Sequence, residues 1–125
     1  MINTEPIVID LPLPPKELHP NARPHWRAKA RATKLARGEA RLVASTVRPA
    51  VPLVSATYKL EFRLPRKQDP DNLDAWCKAY RDGLVDAGIL IDDADFRQDG
   101  ITRTSGKKAT GGVYGVRIII QEEQP

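Results

Sequence analysis

The chain has 125 residues, of which 41% are hydrophobic and 29% are charged. This length fits one domain with a modest core, and we expect a single domain over residues 1–125. No apolar run reaches membrane-spanning length and no signal-peptide pattern opens the chain, so we expect no membrane association. The single cysteine, Cys77, excludes an internal disulfide, and we expect a cytoplasmic protein.

The net charge of +4 is unevenly distributed. Residues 16–48 hold nine Lys or Arg and two Glu, a local balance of +7, so the remainder of the chain is slightly acidic. A basic surface of this kind attracts polyanions such as nucleic acid. Carboxylates close to such a surface are explained if a metal ion and a phosphate meet there.

The first predicted strand covers residues 6–11 (PIVIDL), and prolines in residues 12–15 end it. The loop that follows holds both histidines, His19 and His25. Two isolated histidines are too few for a zinc or HNH-type site, so we interpret both as loop residues. Either could also touch nucleic acid.

A long helix is predicted over residues 25–47, because alanine is frequent there and Gly38 is the only helix breaker. Its core-facing side is expected to be a face of mostly small residues: Trp26, Ala30, Thr33, Ala40 and Ala44. Few acids are available for i,i+4 pairing, so the basic charge is largely unneutralised. We assign phosphate binding to part of this basic set rather than a purely solvated surface: Arg23, Arg27, Lys29, Arg31 and Lys34.

Residues 54–64 predict a half-buried strand, because apolar and polar side chains alternate over all eleven positions. This strand leads directly into Arg66, Lys67 and then Asp69. Arg66 and Lys67 are placed to meet phosphates, although the same residues could be solvated turn residues.

The stretch from Asp69 to Asp93 (DPDNLDAWCKAYRDGLVDAGILIDD) predicts one helix with acidic residues at both ends. Pro70 and the aspartates beside it suit a helix start, and Gly88 suits its stop. The core-facing stripe is expected to comprise Leu73, Trp76, Cys77, Tyr80, Leu84 and Ala87. Cys77 is therefore expected to be a buried structural thiol rather than a nucleophile.

Asp69, Asp71 and Asp93, with Asp92 adjacent, are the candidate metal ligands. If the following strand returns Asp93 to the first two, the carboxylates repel one another unless a cation is present, and Mg²⁺ prefers carboxylate oxygens. Lys78 lies seven residues after Asp71 on the exposed face and could steady a phosphate. Each acidic half alone is better explained as a helix cap or a turn, whereas the two halves together, spaced by one helix, favour the metal site.

The last part of the chain predicts two strands, at residues 96–104 and 113–121. The turn between them is Gly-rich and carries Lys107 and Lys108, which we assign to DNA binding. The aspartate spacing after Asp93 lacks the closing Glu of a calcium loop, so an EF-hand is rejected. The predicted fold is α/β: a single domain with a mixed β-sheet of about four strands and two main helices, in the order β-α-β-α-β-β.

Three features together resemble the RusA-type Holliday junction resolvases, in particular their phage-borne members. These are DPDNL at residues 69–73, a lysine on the exposed helix face, and GILIDD at residues 88–93. In that family three aspartates bind Mg²⁺, and the matching residues here are Asp69, Asp71 and Asp93. The family lysine lies four residues after the second aspartate, where this chain has Ala75, and Lys78 lies about one helical turn later.

The resemblance implies an endodeoxyribonuclease that uses Mg²⁺, or Mn²⁺ in its place, and acts as a homodimer on branched DNA. We therefore expect the protein to be nucleoid-associated when it is bound to DNA. Two symmetric sites suit the paired nicks that resolve a four-way junction. A different hypothesis is a non-catalytic DNA-binding protein that acts as a recombination or packaging accessory factor. A PD-(D/E)xK nuclease is disfavoured, because no Asp or Glu after Asp71 is followed two residues later by Lys.

Overall fold

The computed structural model describes residues 5–123. The strands are β1 (Ile7–Leu11), β2 (Ala56–Leu64), β3 (Phe96–Ser105) and β4 (Gly115–Glu122), and the helices are α1 (Trp26–Ser45), α2 (Pro70–Trp76), α3 (Lys78–Asp86) and α4 (Lys107–Thr110). A single 3₁₀ turn covers Lys16–Leu18. The predicted α/β class is confirmed, with a mixed sheet of four strands in one domain.

The four strands lie in the order β1-β4-β2-β3. Both β1 and β2 are antiparallel to β4, and β3 is parallel to β2. The strands β1, β2 and β3 therefore all finish at the same side of the sheet, here called the Leu64 end. The side where β2 and β3 begin is called the Ala56 end.

Strand β2 has the alternation that its sequence predicts. Every second residue from Ala56 to Leu64 is buried, whereas Lys59, Glu61 and Arg63 between them are exposed. One face of the sheet therefore carries the core, and the helices pack on it with residues such as Leu73 and Leu84. The strand begins two residues later than predicted, and Val54 is 68% exposed.

Helix α1 packs on α3 through a row of alanines, which includes only Ala40 and Ala44 of the predicted face. The buried residues of α1 are Ala32, Ala36, Ala40 and Ala44, one helical turn apart. Gly83 of α3 faces this row, and a Cβ atom there would lie 2.4 Å from the Arg37 carbonyl oxygen. Trp26 and Ala30 are exposed and Thr33 is half-buried, so that part of the predicted core face is wrong.

The predicted helix after Asp69 is broken into α2 and α3 at Cys77, whose φ and ψ are −90° and 6°. The Cys77 N–H bonds to the Asp74 carbonyl only three residues back, at 3.1 Å. The Arg81 guanidinium donates to the same carbonyl at 2.7 Å and so stabilises the irregular turn. The six predicted stripe positions are all buried, as expected.

The Gly-rich segment after β3 is partly helical rather than a simple hairpin tip. The N–H of Gly106 bonds to the Leu64 carbonyl at 2.9 Å, which fixes α4 at the Leu64 end. Gly111 ends α4 with φ of 69°, a conformation that favours glycine. Strand β4 starts at Gly115, two residues later than predicted, where a Cβ would lie 2.8 Å from the Leu11 carbonyl oxygen.

Candidate functional site

Asp69 and Asp71 are exposed at the start of α2, at the Leu64 end of the sheet. Asp69 is the N-cap, and its Oδ1 accepts the Asp71 N–H at 3.2 Å, with Pro70 as the first helical residue. No hydrogen bond or ion pair within residues 5–123 engages the Asp71 carboxylate. Two carboxylates of one helical turn thus face solvent without a cationic partner.

Gln68, the residue before Asp69, is contacted by two distant side chains. The Arg103 guanidinium of β3 donates to the Gln68 carbonyl. The Gln68 Oε1 lies 3.0 Å from the His19 Nε2, and the His19 ring packs edge-on against Trp76 at 5.3 Å. Sequence reasoning missed both contacts, because His19 is 49 residues from Gln68 and Arg103 is 35 residues away.

Asp92 and Asp93 are exposed at the Ala56 end. The Asp92 carboxylate accepts the Ala94 N–H at 2.7 Å, and the Asp93 carbonyl accepts the Phe96 N–H at 3.3 Å. Both contacts shape the turn that starts β3. The turn interpretation of this acidic pair therefore accounts for the local backbone.

The two acidic halves lie at opposite ends of the β2–β3 pair. Strand β2 has nine residues, and at about 3.3 Å per residue it separates the ends by roughly 26 Å. The expected return of Asp93 to Asp69 within one chain does not occur, because a helical crossover between parallel strands carries the chain back to the strand's beginning. Within residues 5–123, no three His, Cys, Asp or Glu side chains form a group that could hold a metal ion.

Lys78 is the first residue of α3 and its side chain is 71% exposed. Its Nζ lies 3.1 Å from an Asp82 carboxylate oxygen, four residues later. Lys78 is about 10 Å further along the helical segment than Asp71, at roughly 1.5 Å per residue. In this conformation Lys78 is paired with Asp82, not with the predicted site.

The nine residues predicted to bind DNA are all exposed: Arg23, Arg27, Lys29, Arg31, Lys34, Arg66, Lys67, Lys107 and Lys108. Arg66 and Lys67 join β2 to α2, and Lys107 and Lys108 lie in α4, so these four are at the Leu64 end. The loop that leads into α1 is attached to this end, because its His19 contacts Gln68 seven residues before α1 begins. Arg23 bonds to the Ala22 carbonyl at 2.9 Å, which fixes its position in the preceding loop.

Around the helix break, Tyr58 and Arg81 meet the Asp74 carboxylate. The Tyr58 hydroxyl donates to Asp74 at 2.8 Å, and burial followed by this hydrogen bond raises the pKa of Tyr58. Burial also raises the pKa of the Cys77 thiol, to about 12. These groups hold the helix break together, and Cys77 is the buried thiol that the sequence predicted.

No protein-family model matches this chain. The chain is 39% identical over 97 residues to an uncharacterized protein of Xylella fastidiosa. The matched region is 70% of this chain and 61% of that protein, so the chain matches about three fifths of its relative's length. The RusA-type resemblance remains a prediction. No helix in the described residues is long and apolar enough to cross a membrane.

Proposed function

We propose that this protein is a Mg²⁺-dependent endodeoxyribonuclease that acts on branched DNA and resolves four-way junctions by paired nicks. The observation that carries the proposal is the pair of exposed carboxylates at the Leu64 end, Asp69 and Asp71. Basic side chains from β3, α4 and the loop before α2 lie at the same end: Arg66, Lys67, Arg103, Lys107 and Lys108. Carboxylates at the same end of the sheet as these basic side chains suit a site where metal and phosphate meet.

The donor set fits Mg²⁺ in chemical type. Asp71 has two free oxygens, and Asp69 keeps one beyond its bond to the Asp71 N–H. Hard oxygen ligands with no competing cation are what Mg²⁺ requires. When bound, the ion would supply an activated water and neutralise charge on the scissile phosphate.

The basic residues would hold the phosphate backbone at this end. Arg103 already bridges β3 to the Gln68 carbonyl and would orient the Asp69 loop as DNA binds. Contacts from Lys or Arg to phosphates position DNA without reading its sequence. Lys78 would steady charge at the phosphate only after leaving Asp82.

A site that includes Asp93 requires two copies of this chain. Within one chain Asp93 lies at the other end of the sheet from Asp69, with the length of β2, roughly 26 Å, between the two ends. In a two-fold dimer, the Ala56 end of each copy can lie against the Leu64 end of the other, so that the same contact forms two times. Such a dimer has two equivalent composite sites, which suits two symmetric nicks.

The test is Asp71→Asn, assayed on four-way junction, fork and duplex DNA with Mg²⁺ and with chelator. Cleavage should fall by more than the roughly 10–100-fold typical of residues that only support a metal ligand. Junction binding should be kept or tightened, because a charge that repels phosphate is removed. The control is Asp99→Asn, an exposed aspartate in β3. Equal cleavage by Asp71→Asn and the wild type would refute the proposal.

A second candidate is a DNA-binding protein without catalysis. It is favoured by one observation: within residues 5–123 a single chain has no group of three possible metal ligands. This candidate predicts salt-sensitive DNA binding, no cleavage with Mg²⁺ or Mn²⁺, and binding by Asp71→Asn at least equal to that of the wild type.

A further inference from the structure

Trp26 is a large apolar side chain that the core does not use. It is 69% exposed at the first position of α1, whereas the other tryptophan, Trp76, is 7% exposed and bonds to the Pro15 carbonyl. The His25 ring stacks on the Trp26 indole at 5.7 Å with an interplanar angle of 28°. The Arg27 guanidinium carbon lies 5.1 Å from the indole centroid. The His25 Nδ1 accepts the Arg27 N–H at 3.1 Å, so both neighbours of the indole belong to the start of the helix. The indole itself remains mostly exposed and can offer its ring to a flat ligand.

A shallow groove of about 530 Å³ continues from Trp26 along α1. Its lining residues are Trp26, Lys29, Ala30, Thr33, Lys34 and Arg37. The indole forms one wall, and the two lysines reach solvent beside it.

Charge decides the class of ligand. Residues 26–45 carry six Lys or Arg and one Glu, a balance of +5. Among the ion pairs of residues 5–123, the only one that involves α1 joins Arg37 to Asp86. The remaining cations are available to phosphates. A nucleic acid offers a row of phosphates together with aromatic planes, which matches a cationic helix that begins with an exposed indole. Its base must be unpaired, since both faces of a duplex base are covered by its neighbours.

We propose that Trp26 is a stacking site for an unpaired nucleobase of DNA, with Lys29 and Lys34 contacting the adjacent phosphates. The identity of the ligand as DNA rests on the proposed function, but the stacking itself needs neither metal nor cleavage. The loop before α1 contacts Gln68, the residue before Asp69, through His19, which lies seven residues before Trp26. One strand of a branched DNA could therefore reach both Trp26 and the carboxylates.

The experiment uses tryptophan fluorescence of the full chain in chelator, so that nothing is cleaved. In Trp76→Phe the exposed Trp26 is the only tryptophan reporter. We expect a single-stranded oligodeoxynucleotide to quench it, and an abasic strand of equal length and charge to leave it nearly unchanged. If Trp76→Phe does not fold, the difference between wild type and Trp26→Phe isolates the same signal.

Affinity provides the second measurement. Trp26→Ala should bind the single strand roughly 5- to 150-fold more weakly, the range expected for one stacked base. Trp26→Phe should keep most of the affinity, because a phenyl ring still stacks. Duplex and abasic strands should bind all three proteins equally, through charge alone.

The outcomes separate the two proposals. Equal quenching by the abasic strand, equal single-strand affinity of Trp26→Ala, or no DNA binding at all overturns the stacking site. Base-dependent quenching in a protein that never cleaves DNA supports the stacking site and refutes the nuclease. Cleavage that Asp71→Asn abolishes, together with Trp26 fluorescence that does not respond to bases, supports the nuclease and refutes the stacking site.

Discussion

At the scale of single residues, the reactivity of the Cys77 thiol is determined by its burial. It is fully buried at the junction of α2 and α3, and burial raises its pKa to about 12. The reactive thiolate is therefore almost absent at neutral pH. We expect the native protein not to react with a thiol reagent such as DTNB during the time in which the urea-unfolded chain reacts fully. Fast reaction of the native protein would show that the core opens around Cys77.

The Arg37–Asp86 pair links the folded state to pH. Two hydrogen bonds join the side chains, one at 2.8 Å from Nη2, and the bond to Arg37 lowers the pKa of Asp86 below its ordinary 3.8. A carboxyl whose pKa is lower when folded stabilises the fold above its unfolded pKa, and this contribution is lost as the pH falls through the folded pKa. The pair's stabilisation is therefore fully present at pH 5, begins to fall near the unfolded pKa of 3.8, and is lost as the pH falls through the lower folded pKa.

The measurement is the urea midpoint between pH 2 and pH 6 for wild type and Asp86→Asn. The variant should be less stable at pH 6, and the two midpoints should approach each other in acid. Asp99→Asn is the matched exposed control. A constant difference between wild type and Asp86→Asn at all pH values would contradict the assignment.

At the scale of elements, the contact between α1 and α3 depends on glycine at one position. A Cβ on Gly83 would lie 2.8 Å from the Ala40 Cβ and 2.4 Å from the Arg37 carbonyl oxygen. Gly83→Ala should therefore destabilise the fold by about 1–3 kcal/mol, despite the better helix propensity of alanine. Gly38→Ala, where nothing lies within 4 Å, should stabilise by roughly 0.5–1 kcal/mol. Chemical denaturation of both variants tests the pair, and a stabilised Gly83→Ala would exclude the close packing.

The same elements show what a sequence pattern can reveal. The alternation in β2 predicted its buried face, because apolar and polar residues contrast at every step. In α1 alanines occur on more than one side, so their periodicity could not choose between Ala30 and Ala32 as the core position. The break at Cys77 was equally hidden, since it is stabilised by the Arg81 side chain on a backbone carbonyl.

At the scale of the whole molecule, the proposed site needs two chains. Mixed dimers of Asp71→Asn and Asp93→Asn protomers distinguish a composite site from a site within one chain. In the composite case, one of the two sites in a mixed dimer has all three native aspartates: Asp69 and Asp71 of one copy and Asp93 of the other. We expect the mixed protein to regain nicking of one strand, while each parent homodimer is inactive.

A site contained in one chain predicts no recovery, because each protomer of the mixed dimer is then damaged. Co-expression with two affinity tags isolates the mixed dimer, and nicked and fully resolved junctions separate on a denaturing gel. A wild-type chain paired with either variant is the positive control. A monomeric protein in solution would contradict both the dimer and the three-aspartate site.

The sequence by itself determined the α/β class, the alternation in β2, the buried stripe of α2 and α3, and the exposure of the candidate acidic and basic residues. These features depend on the polarity of neighbouring residues, which can be read directly from the order of the amino acids. Only the tertiary structure decided that Asp93 lies at the opposite end of the sheet from Asp69 and Asp71, that Arg103 and His19 hold Gln68, and that Trp26 faces solvent. Strand direction and helix rotation arise from packing between distant segments, and no local pattern encodes them.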